Sequence, residues 1–252
     1  MTASQPKNLF LDLDDTIIAF SDRTDECWRG ACARFAPRLP GFPAEALLPA
    51  LQRRRDWFWS DRERHRQWRQ DMGRARREII RLALADLGLK APDVVAGMAA
   101  WYHIEREAII ALFPGAVEAL ARFRALGLRL ALLTNGSGAA QRAKIERFEL
   151  APYFDCIVVE GELGVGKPDE RVYRHALAQL RALPEETWMV GDNLEWDVAA
   201  PQRLGITAVW LDCEGTGLPA ASPVRPDRIV RSLAELAKLL SQPAGLWIRP
   251  DV

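Results

Sequence analysis

The chain has 252 residues, of which 49% are hydrophobic, and its 34 basic residues balance 34 acidic residues. This length suits one large domain or two smaller ones, and the apolar content is sufficient for a core. Because the formal net charge is zero, no overall field attracts the chain to nucleic acid or to a membrane surface. No apolar run approaches the ~20 residues of a membrane-spanning helix, and the N-terminal MTASQPKN has no apolar signal region.

The cysteines have no CxxC spacing of the kind that binds a metal; they are Cys27, Cys32, Cys156 and Cys213. Cysteines without such spacing are typical of reduced, packed thiols in a cytosolic protein. We therefore expect a cytoplasmic localisation.

The first half of the chain combines one short strand with a long helical segment. Residues 8–13 form an apolar run that predicts a buried strand. From residue 22 to residue 112, apolar side chains such as Met72, Ala75 and Ile79 recur at helical spacing. Pro40 and Pro43 follow a first helix at 24–36. The sequence therefore predicts an all-helical insert over residues 22–112.

After Phe113-Pro-Gly115 the pattern changes to alternating strands and helices. Apolar runs predict strands at 128–133, 156–160, 188–190 and 207–211. Helical periodicity predicts helices at 117–126, 139–148, 170–180, 198–204 and 232–240, with loops at 161–169 and 213–227. This alternation indicates a parallel sheet with helices on both faces, in which ligands bind at the carboxyl ends of the strands.

The first strand is followed by three acids within four positions, Asp12, Asp14 and Asp15. Their mutual repulsion indicates a partner of opposite charge, most simply a divalent cation with oxygen ligands. Asp12 and Asp14 are two residues apart and would share one face of a regular strand. One carboxylate could attack phosphorus while the second protonates the leaving oxygen. Solvated acids in a turn are the alternative, and this stretch alone does not decide between them.

A second polar cluster, Thr134-Asn135-Gly136, follows the apolar run at 128–133. A hydroxyl and consecutive backbone N–H groups at a strand-to-helix junction can bind phosphate oxygens. Thr and Asn are also common helix caps, and in isolation this second interpretation is favoured.

The segment Gly161-x-x-x-x-Gly166-Lys167 matches most of a nucleotide-binding P-loop, but Pro168 stands where that loop needs Ser or Thr. Lys167 can instead neutralise clustered carboxylates and phosphate charge. A solvent-facing lysine is the commoner alternative.

Two more acids follow the strand at 188–190, in Gly191-Asp192-Asn-Leu-Glu-Trp-Asp197. Asp192 would complete a metal site with Asp12 if their strands are neighbours. Glu195 and Asp197 begin the next helix, where the helix dipole stabilises acids, and for Glu195 we prefer that interpretation.

The helical insert contains eleven arginines and five acids between Leu51 and Arg81, interleaved with Trp57, Trp59 and Trp68. Such a segment could bind single-stranded nucleic acid or an anionic substrate. An amphipathic helix with packed tryptophans and solvated or paired arginines is the favoured interpretation, so we do not expect nucleic acid as a partner. His65 is expected to be structural.

Four motifs occur in order at successive strand ends, namely Asp12-Leu-Asp-Asp-Thr-Ile17, Leu133-Thr-Asn-Gly136, Gly166-Lys-Pro-Asp169 and Gly191-Asp192-x-x-x-x-Asp197. In this order they resemble the haloacid dehalogenase (HAD) superfamily over about residues 8–22 and 112–240. The resemblance implies an α/β fold, with a Rossmann-like three-layer core and a parallel sheet at 1–21 and 113–252. It also implies an inserted all-helical cap domain at 22–112.

The resemblance further implies a reaction. Asp12 would be the nucleophile and Asp14 the general acid/base, while Lys167 would stabilise the nucleophile and the transferring phosphoryl group. Phosphoryl transfer depends mostly on positioning and on neutralising oxygen charge, which such groups provide.

The same resemblance implies the binding groups. Mg²⁺ would be held by the Asp12 side chain, the Asp14 backbone carbonyl and Asp192, with Asp197 supporting a metal-bound water or Lys167. The transferring phosphate would be bound by Lys167 together with three further residues, Asp15 through its N–H, Thr134 and Asn135.

Asp14 implies the phosphatase branch, because the true dehalogenases of the family lack this second acid. Residues 132–211 are similar to pyrimidine nucleotidase, N-acylneuraminate-9-phosphatase and phosphoglycolate phosphatase-like members. We therefore expect a Mg²⁺-dependent phosphomonoester hydrolase acting on a small phosphorylated metabolite, as a monomer or homodimer and without a membrane partner. A sugar-phosphate mutase on the same fold and a non-catalytic nucleic-acid-binding protein using the Arg/Trp-rich cap are the alternatives.

Overall fold

A computed structural model describes residues 5–21, 23–39 and 41–242 of the chain. The chain divides into two compact units, a core unit formed by Met1–Ala19 with Ala111–Val252, and an inserted unit formed by Phe20–Ile110. The N-terminal residues 1–4, the predicted start of the insert at Asp22, the break at Pro40 and the tail at 243–252 lie outside the described residues.

The core unit contains a six-stranded sheet and a two-stranded sheet within the described residues. The strands are β1 (Asn8–Leu11), β2 (Ile18–Ala19), β3 (Ala111–Leu112), β4 (Arg129–Thr134), β5 (Cys156–Val159), β6 (Thr187–Gly191), β7 (Thr207–Leu211) and β8 (Arg228–Val230). The larger sheet has the order β5-β4-β1-β6-β7-β8, and all its neighbouring pairs are parallel. This confirms the predicted parallel-sheet α/β core.

Strand β1 lies at the centre of this sheet, where Phe10 is paired with Ala131 of β4 on one side and Met189 of β6 on the other. Its four residues are all buried, which explains why Leu9, Phe10 and Leu11 form a continuous apolar run rather than an alternating pattern. Strands β2 and β3 form a separate antiparallel pair that the sequence did not reveal, because two-residue strands carry no periodicity. Strand β8 was also missed.

The inserted unit is helical, as its composition predicts. Its helices are α1 (Thr24–Phe35), α2 (Leu47–Ser60), α3 (Arg62–Trp68), α4 (Met72–Asp86) and α5 (Pro92–Ile109), with 3-10 turns at Ala36–Arg38 and Ala44–Ala46. Large side chains from several helices form one buried cluster, in which the rings of Trp28 and Tyr102 lie 4.2 Å apart. The unit therefore has a hydrophobic core of its own.

The remaining helices belong to the core unit. They are α6 (Ala116–Ala125), α7 (Gly138–Arg147), α8 (Glu160–Leu163), α9 (Glu170–Leu180), α10 (Ala200–Gln202) and α11 (Leu233–Leu240), with 3-10 turns at Ala151–Tyr153 and Pro184–Glu186 and a π-helical turn at Leu194–Ala199. Phe10 and Leu133 pack with Tyr173 of α9. Alternate strand residues point to the opposite face, where α6 contacts β4 and α11 contacts α6. Helices thus cover both faces of the sheet.

Three local expectations need correction. The predicted strand at 8–13 ends at Leu11, the predicted loop at 161–169 begins with α8, and the helix predicted at 198–204 begins earlier, in the π-helical turn. All of the cysteines are free thiols, but Cys213 is exposed, so the expectation of packing is wrong for that residue. Among the helices that the structure describes, none has both the length and the apolar content needed to cross a membrane.

Candidate active site

The polar motifs meet because their strands are parallel neighbours. Asp12 directly follows β1, Thr134 ends β4, and Asp192 directly follows β6. Strand β1 pairs with both β4 and β6, so these three residues lie at the same carboxyl edge of the sheet. The expectation that the strands of Asp12 and Asp192 are neighbours is therefore met.

Asp12 is a buried carboxylate in contact with a buried cation. Its side chain lies 2.8 Å from Lys167 Nζ through Oδ1, and Thr16 Oγ1 lies 3.5 Å from Oδ2. Burial raises the pKa of Asp12 to about 7; Lys167 opposes this shift, whereas the charges of Asp197 and Asp14 add to it. Lys167 therefore offsets the cost of burying this carboxylate only in part.

Lys167 is 1% exposed, so its interpretation as a solvent-facing loop lysine is wrong. Its Nζ donates to Asp12 at 2.8 Å and to Asp197 at 2.6 Å. Burial alone would lower the pKa of this ammonium, but the two carboxylates outweigh burial and raise the pKa above its ordinary value. Lys167 therefore remains charged and links the end of β1 to the segment that follows β6.

The backbone of Lys167 is held by Asn135. The Lys167 N–H donates to Asn135 Oδ1 at 2.8 Å, and Asn135 Nδ2 donates to the Lys167 carbonyl at 2.9 Å. The side chain of Asn135 thus positions the lysine loop, and its role in binding phosphate through backbone N–H groups stays a prediction.

The glycines that gave the resemblance to a P-loop have a packing role. A Cβ atom on Gly166 would lie 2.4 Å from the Glu160 carboxyl carbon and 2.6 Å from Asn135 Oδ1, and one on Gly161 would lie 2.4 Å from the backbone nitrogen of Gly138. Contacts this short exclude any side chain. Glu160 in turn accepts the Gly136 N–H at 2.8 Å, which ties this loop to the end of β4.

Three carboxylates form the acidic cluster of the site. Asp12, Asp192 and Asp197 each offer one carboxylate oxygen, and these oxygens all lie within 4.8 Å of one another. Burial raises the pKa of half-buried Asp192 to about 9, and repulsion from Asp12 and Asp197 adds to the shift. Asp197 is fully buried and also accepts the Asn193 N–H at 3.0 Å, so it is more than a dipole-stabilised helix residue.

Asp14 points to a different set of partners. Its carboxylate oxygens lie 2.7 and 2.8 Å from Lys144 Nζ, and Oδ2 lies 3.0 Å from Gln141 Nε2. Because β1 ends at Leu11, Asp12 and Asp14 do not share a strand face, and that expectation is wrong. The predicted metal group included Asp14 through its backbone carbonyl, whereas the side-chain cluster contains Asp197.

The chain turns sharply at Asp15, which has a φ of 58°. Its N–H donates to the Ile18 carbonyl at 2.7 Å. The predicted role of this N–H in binding phosphate is therefore not supported, because the donor already has a backbone partner.

Thr134 is 3% exposed and does not cap the following helix. Ser137 is the cap of α7, since its Oγ accepts the Ala140 N–H at 3.3 Å. The helix-cap interpretation of Thr134 is thus wrong. Its Oγ1 instead contacts Gln141 Nε2 at 2.5 Å.

Gln141 and Lys144 are the residues that the sequence analysis missed. Both are on α7 and are 2% and 7% exposed, respectively. Their spacing of three residues places them on one helix face, but a polar pair at this spacing normally indicates a solvent-facing surface. Only their position in the first helix after the Thr134 motif could have suggested a role.

The basic segment of the inserted unit is largely engaged within that unit. Its arginines form ion pairs with nearby carboxylates, namely Arg54 with Asp86, Arg55 with Asp25, Arg66 with Glu63 and Arg81 with Glu78. Burial, with a contribution from Arg69, lowers the pKa of His65 to about 4, and its ring contacts Trp59 edge-on at 5.0 Å. These contacts agree with the interpretation of internally paired arginines, but Trp57 is 47% exposed, so the expected packing is wrong for that tryptophan.

Comparison with known proteins identifies the family of the chain. Residues 6–205 match the model of the haloacid dehalogenase-like hydrolase family. The chain belongs to this family. The resemblance inferred from the four motifs is therefore confirmed, as is the expectation of a HAD-family hydrolase.

Individual relatives match parts of the chain. The phosphoserine phosphatase of Thermus thermophilus is 40% identical over 165 residues, which are 65% of this chain and 64% of that protein. The N-acylneuraminate-9-phosphatase of Rattus norvegicus is 41% identical over 114 residues, 45% of this chain and 46% of the relative. In both cases the chain spans less than two thirds of the relative's length.

The crystal structure of the HAD-hydrolase YfnB from Bacillus subtilis, which is bound to magnesium, superposes with a TM-score of 0.71 at 19% identity. The match covers 95% of this chain and 100% of that one. This likeness supports the Rossmann-like HAD fold.

Proposed function

We propose that this chain is a Mg²⁺-dependent phosphomonoester hydrolase that acts on a small phosphorylated metabolite through an aspartyl-phosphate intermediate. The observation that supports this most is buried Lys167 between Asp12 and Asp197, beside Asp192. This arrangement holds a carboxylate nucleophile next to fixed positive charge at the edge of the sheet where ligands bind.

The donor set fits a magnesium ion. Mg²⁺ prefers oxygen ligands, and three carboxylate oxygens within 4.8 Å offer them. Burial, together with repulsion between the carboxylates, raises the pKa values of Asp12 and Asp192, and a bound cation would stabilise their charged forms. Asp12 and Asp192 would hold the ion together with the Asp14 backbone carbonyl, because both Asp197 oxygens already accept hydrogen bonds, one from Lys167 Nζ and one from the Asn193 N–H. When bound, Mg²⁺ would supply charge neutralisation at the phosphoryl oxygens.

The residues of the chain would carry out two displacements. In the first, a new bond forms between an Asp12 carboxylate oxygen and phosphorus, the bond to the leaving oxygen breaks, and Asp14 gives that oxygen a proton. In the second, water attacks phosphorus, Asp14 takes its proton, and the bond to Asp12 breaks, which releases phosphate. Lys167 would stabilise the charge on the oxygens, and the Thr134 hydroxyl would hold the phosphoryl group.

We assign the core unit as the catalytic domain and the inserted unit as a cap domain that selects the leaving group. The relatives are phosphatases of small phosphorylated metabolites, which supports such substrates here, and the 40% identity to a phosphoserine phosphatase makes phosphoserine the first to test. Sugar phosphates and nucleoside monophosphates follow it.

The test is phosphate release from an aryl phosphate and from this panel, with Mg²⁺ and with a chelator in its place. We expect release only with Mg²⁺ and a loss to background in Asp12→Asn. Asp155→Asn is a matched control, because Asp155 accepts the Leu130 N–H at the opposite edge of the sheet. Equal background rates for the wild type and Asp12→Asn on every substrate would refute the hydrolase assignment.

A further inference from the structure

The contacts of Asp14 extend the proposed function to a part of the molecule outside the four motifs. Lys144 and Gln141 lie on α7, and both reach the carboxylate that the proposed reaction uses as its acid and base. We propose that Lys144 and Gln141 are positioning residues that set the orientation of Asp14 and link it to Thr134. This inference rests on the proposed function.

The geometry of the Lys144 contact fixes the orientation of Asp14. An ammonium only donates hydrogen bonds, and its Nζ lies within 2.8 Å of both Asp14 oxygens. Contacts at both oxygens fix the plane of the carboxyl group, and with it the direction in which Asp14 faces. Lys144 is 7% exposed. A buried ammonium needs such a partner, which makes the pairing with Asp14 a fixed feature rather than a passing surface contact.

Gln141 extends this contact to the phosphate end of the site. Its Nε2 lies 3.0 Å from Asp14 Oδ2, 2.5 Å from Thr134 Oγ1 and 2.9 Å from the Asn135 carbonyl. One amide group therefore contacts the proposed proton carrier, the proposed phosphate-binding hydroxyl and the residue that holds the Lys167 backbone. Displacement of any of these groups would shift the amide, so the position of Asp14 depends on the arrangement around the phosphoryl group.

The helix gives this network its rigidity. Gln141 and Lys144 lie one turn apart on α7, which Ser137 caps at its N-terminus. The helix follows directly after the Thr134 motif, so its first turns have a fixed place relative to the end of β4. Positioning groups on a regular helix hold a side chain more accurately than groups on a loop would.

The expected consequence concerns the leaving group. An alkyl phosphate leaves as a basic alkoxide and needs the proton from Asp14, whereas a nitrophenyl phosphate leaves as a stabilised anion and does not. A residue that acts only through Asp14 should therefore affect alkyl phosphates selectively. The value of kcat/KM isolates this step, because it excludes the later hydrolysis of the aspartyl phosphate.

The experiment measures kcat/KM for the Lys144→Met and Gln141→Leu variants with a series of alkyl and aryl phosphates of graded leaving-group acidity, at saturating Mg²⁺. For Lys144→Met we expect a loss of roughly tenfold or more for alkyl phosphates and little change for 4-nitrophenyl phosphate. Gln141→Leu also removes a contact of Thr134, so it should lower the values for both classes, but those for alkyl phosphates by more. Asp14→Asn should give the same pattern more strongly, and Lys144→Arg should restore part of the loss. Arg142→Met is the matched control, because it removes an exposed cation from the same helix whose partner is Glu162.

An equal loss for all substrates, or no loss for any, would overturn the positioning role, and melting temperatures identify a loss caused by unfolding. If Lys144→Met does not fold, the kcat/KM values of Gln141→Leu for alkyl and aryl phosphates provide the test. A wild type that releases phosphate from neither class would instead refute the proposed function, and the positioning role with it.

Discussion

The acidic cluster makes a prediction that needs no substrate. Replacing Asp192 by Asn should stabilise the protein in the absence of divalent cations and remove most of the stabilisation by Mg²⁺. The reason is that burial and repulsion from Asp12 and Asp197 raise the pKa of Asp192 to about 9 from 3.8. An acid with a raised pKa in the folded state destabilises that state as pH rises above its unfolded value. The loss therefore develops between pH 4 and pH 9.

The size of this stabilisation follows from the interval between the ordinary pKa of an aspartate, 3.8, and the pH of the experiment. At pH 7 this interval is about 3 pH units, and each unit corresponds to about 1.4 kcal/mol, which sets a ceiling of about 4 kcal/mol. Because Asp192 is half-buried, screening by solvent should reduce the gain in Asp192→Asn to about 2 kcal/mol. For a unit of this size that corresponds to a rise in melting temperature of roughly 4–8 °C.

The assay is thermal unfolding of both proteins at pH 5 and pH 8, with EDTA and with excess Mg²⁺. In EDTA the variant should melt above the wild type, and by more at pH 8. Mg²⁺ should raise the wild-type melting temperature, more so at pH 8 because protons compete less for the carboxylates. Glu195→Gln, on the same segment but outside the cluster, should respond to Mg²⁺ like the wild type. The reasoning is wrong if Asp192→Asn is not stabilised in EDTA, or if Mg²⁺ stabilises both proteins equally.

Three further substitutions test separate parts of the structure by urea unfolding. Lys167→Met leaves buried Asp197 without its cation, so we expect a loss of about 3–5 kcal/mol together with loss of activity; an unchanged midpoint would contradict this. In Gly191→Ala the new Cβ would lie 2.3 Å from the Asp197 carboxylate, which should cost about 1–3 kcal/mol, and wild-type stability would argue against the close packing. The pKa of His65 is lowered to about 4 from 6.5. The stability that its neutral imidazole contributes is therefore intact above pH 6.5 and is lost as pH falls towards 4. The wild type should therefore lose stability between pH 7 and pH 4, and in His65→Gln this loss should be smaller by about 2 kcal/mol. Parallel pH profiles of the two proteins would refute the lowered pKa of His65.

The sequence predicted the larger elements of the fold because each carries its own periodic signal. The helix at Glu170–Leu180 and the strand at Thr207–Leu211 have the bounds that their apolar patterns predict. Errors arise where the pattern is too short or is overridden. The first strand ends at Leu11, although Leu13 continues the apolar run, because the chain turns between Asp14 and Ile18.

The site was predictable to the extent that its residues follow the ends of strands. Parallel pairing alone brings Asp12, Thr134 and Asp192 to one edge, so motif order and strand order were sufficient. The partners of each side chain were not predictable in the same way. Asp14 is two residues from Asp12, yet its cation comes from a helix 130 positions away.

The different partners of Asp12 and Asp14 bear on the proposed reaction. The proposed reaction gives Asp12 and Asp14 different roles although both are aspartates, and what distinguishes them is the cation that each one faces. Lys167 holds Asp12 within the acidic cluster, whereas Lys144 holds Asp14 outside it. In the proposed reaction, the two lysines would thus separate two chemically identical side chains into an attacking group and a proton carrier. The consequence can be tested in one comparison, because Lys167→Met should impair all phosphate esters alike, whereas Lys144→Met should impair only those that need a proton on the leaving oxygen.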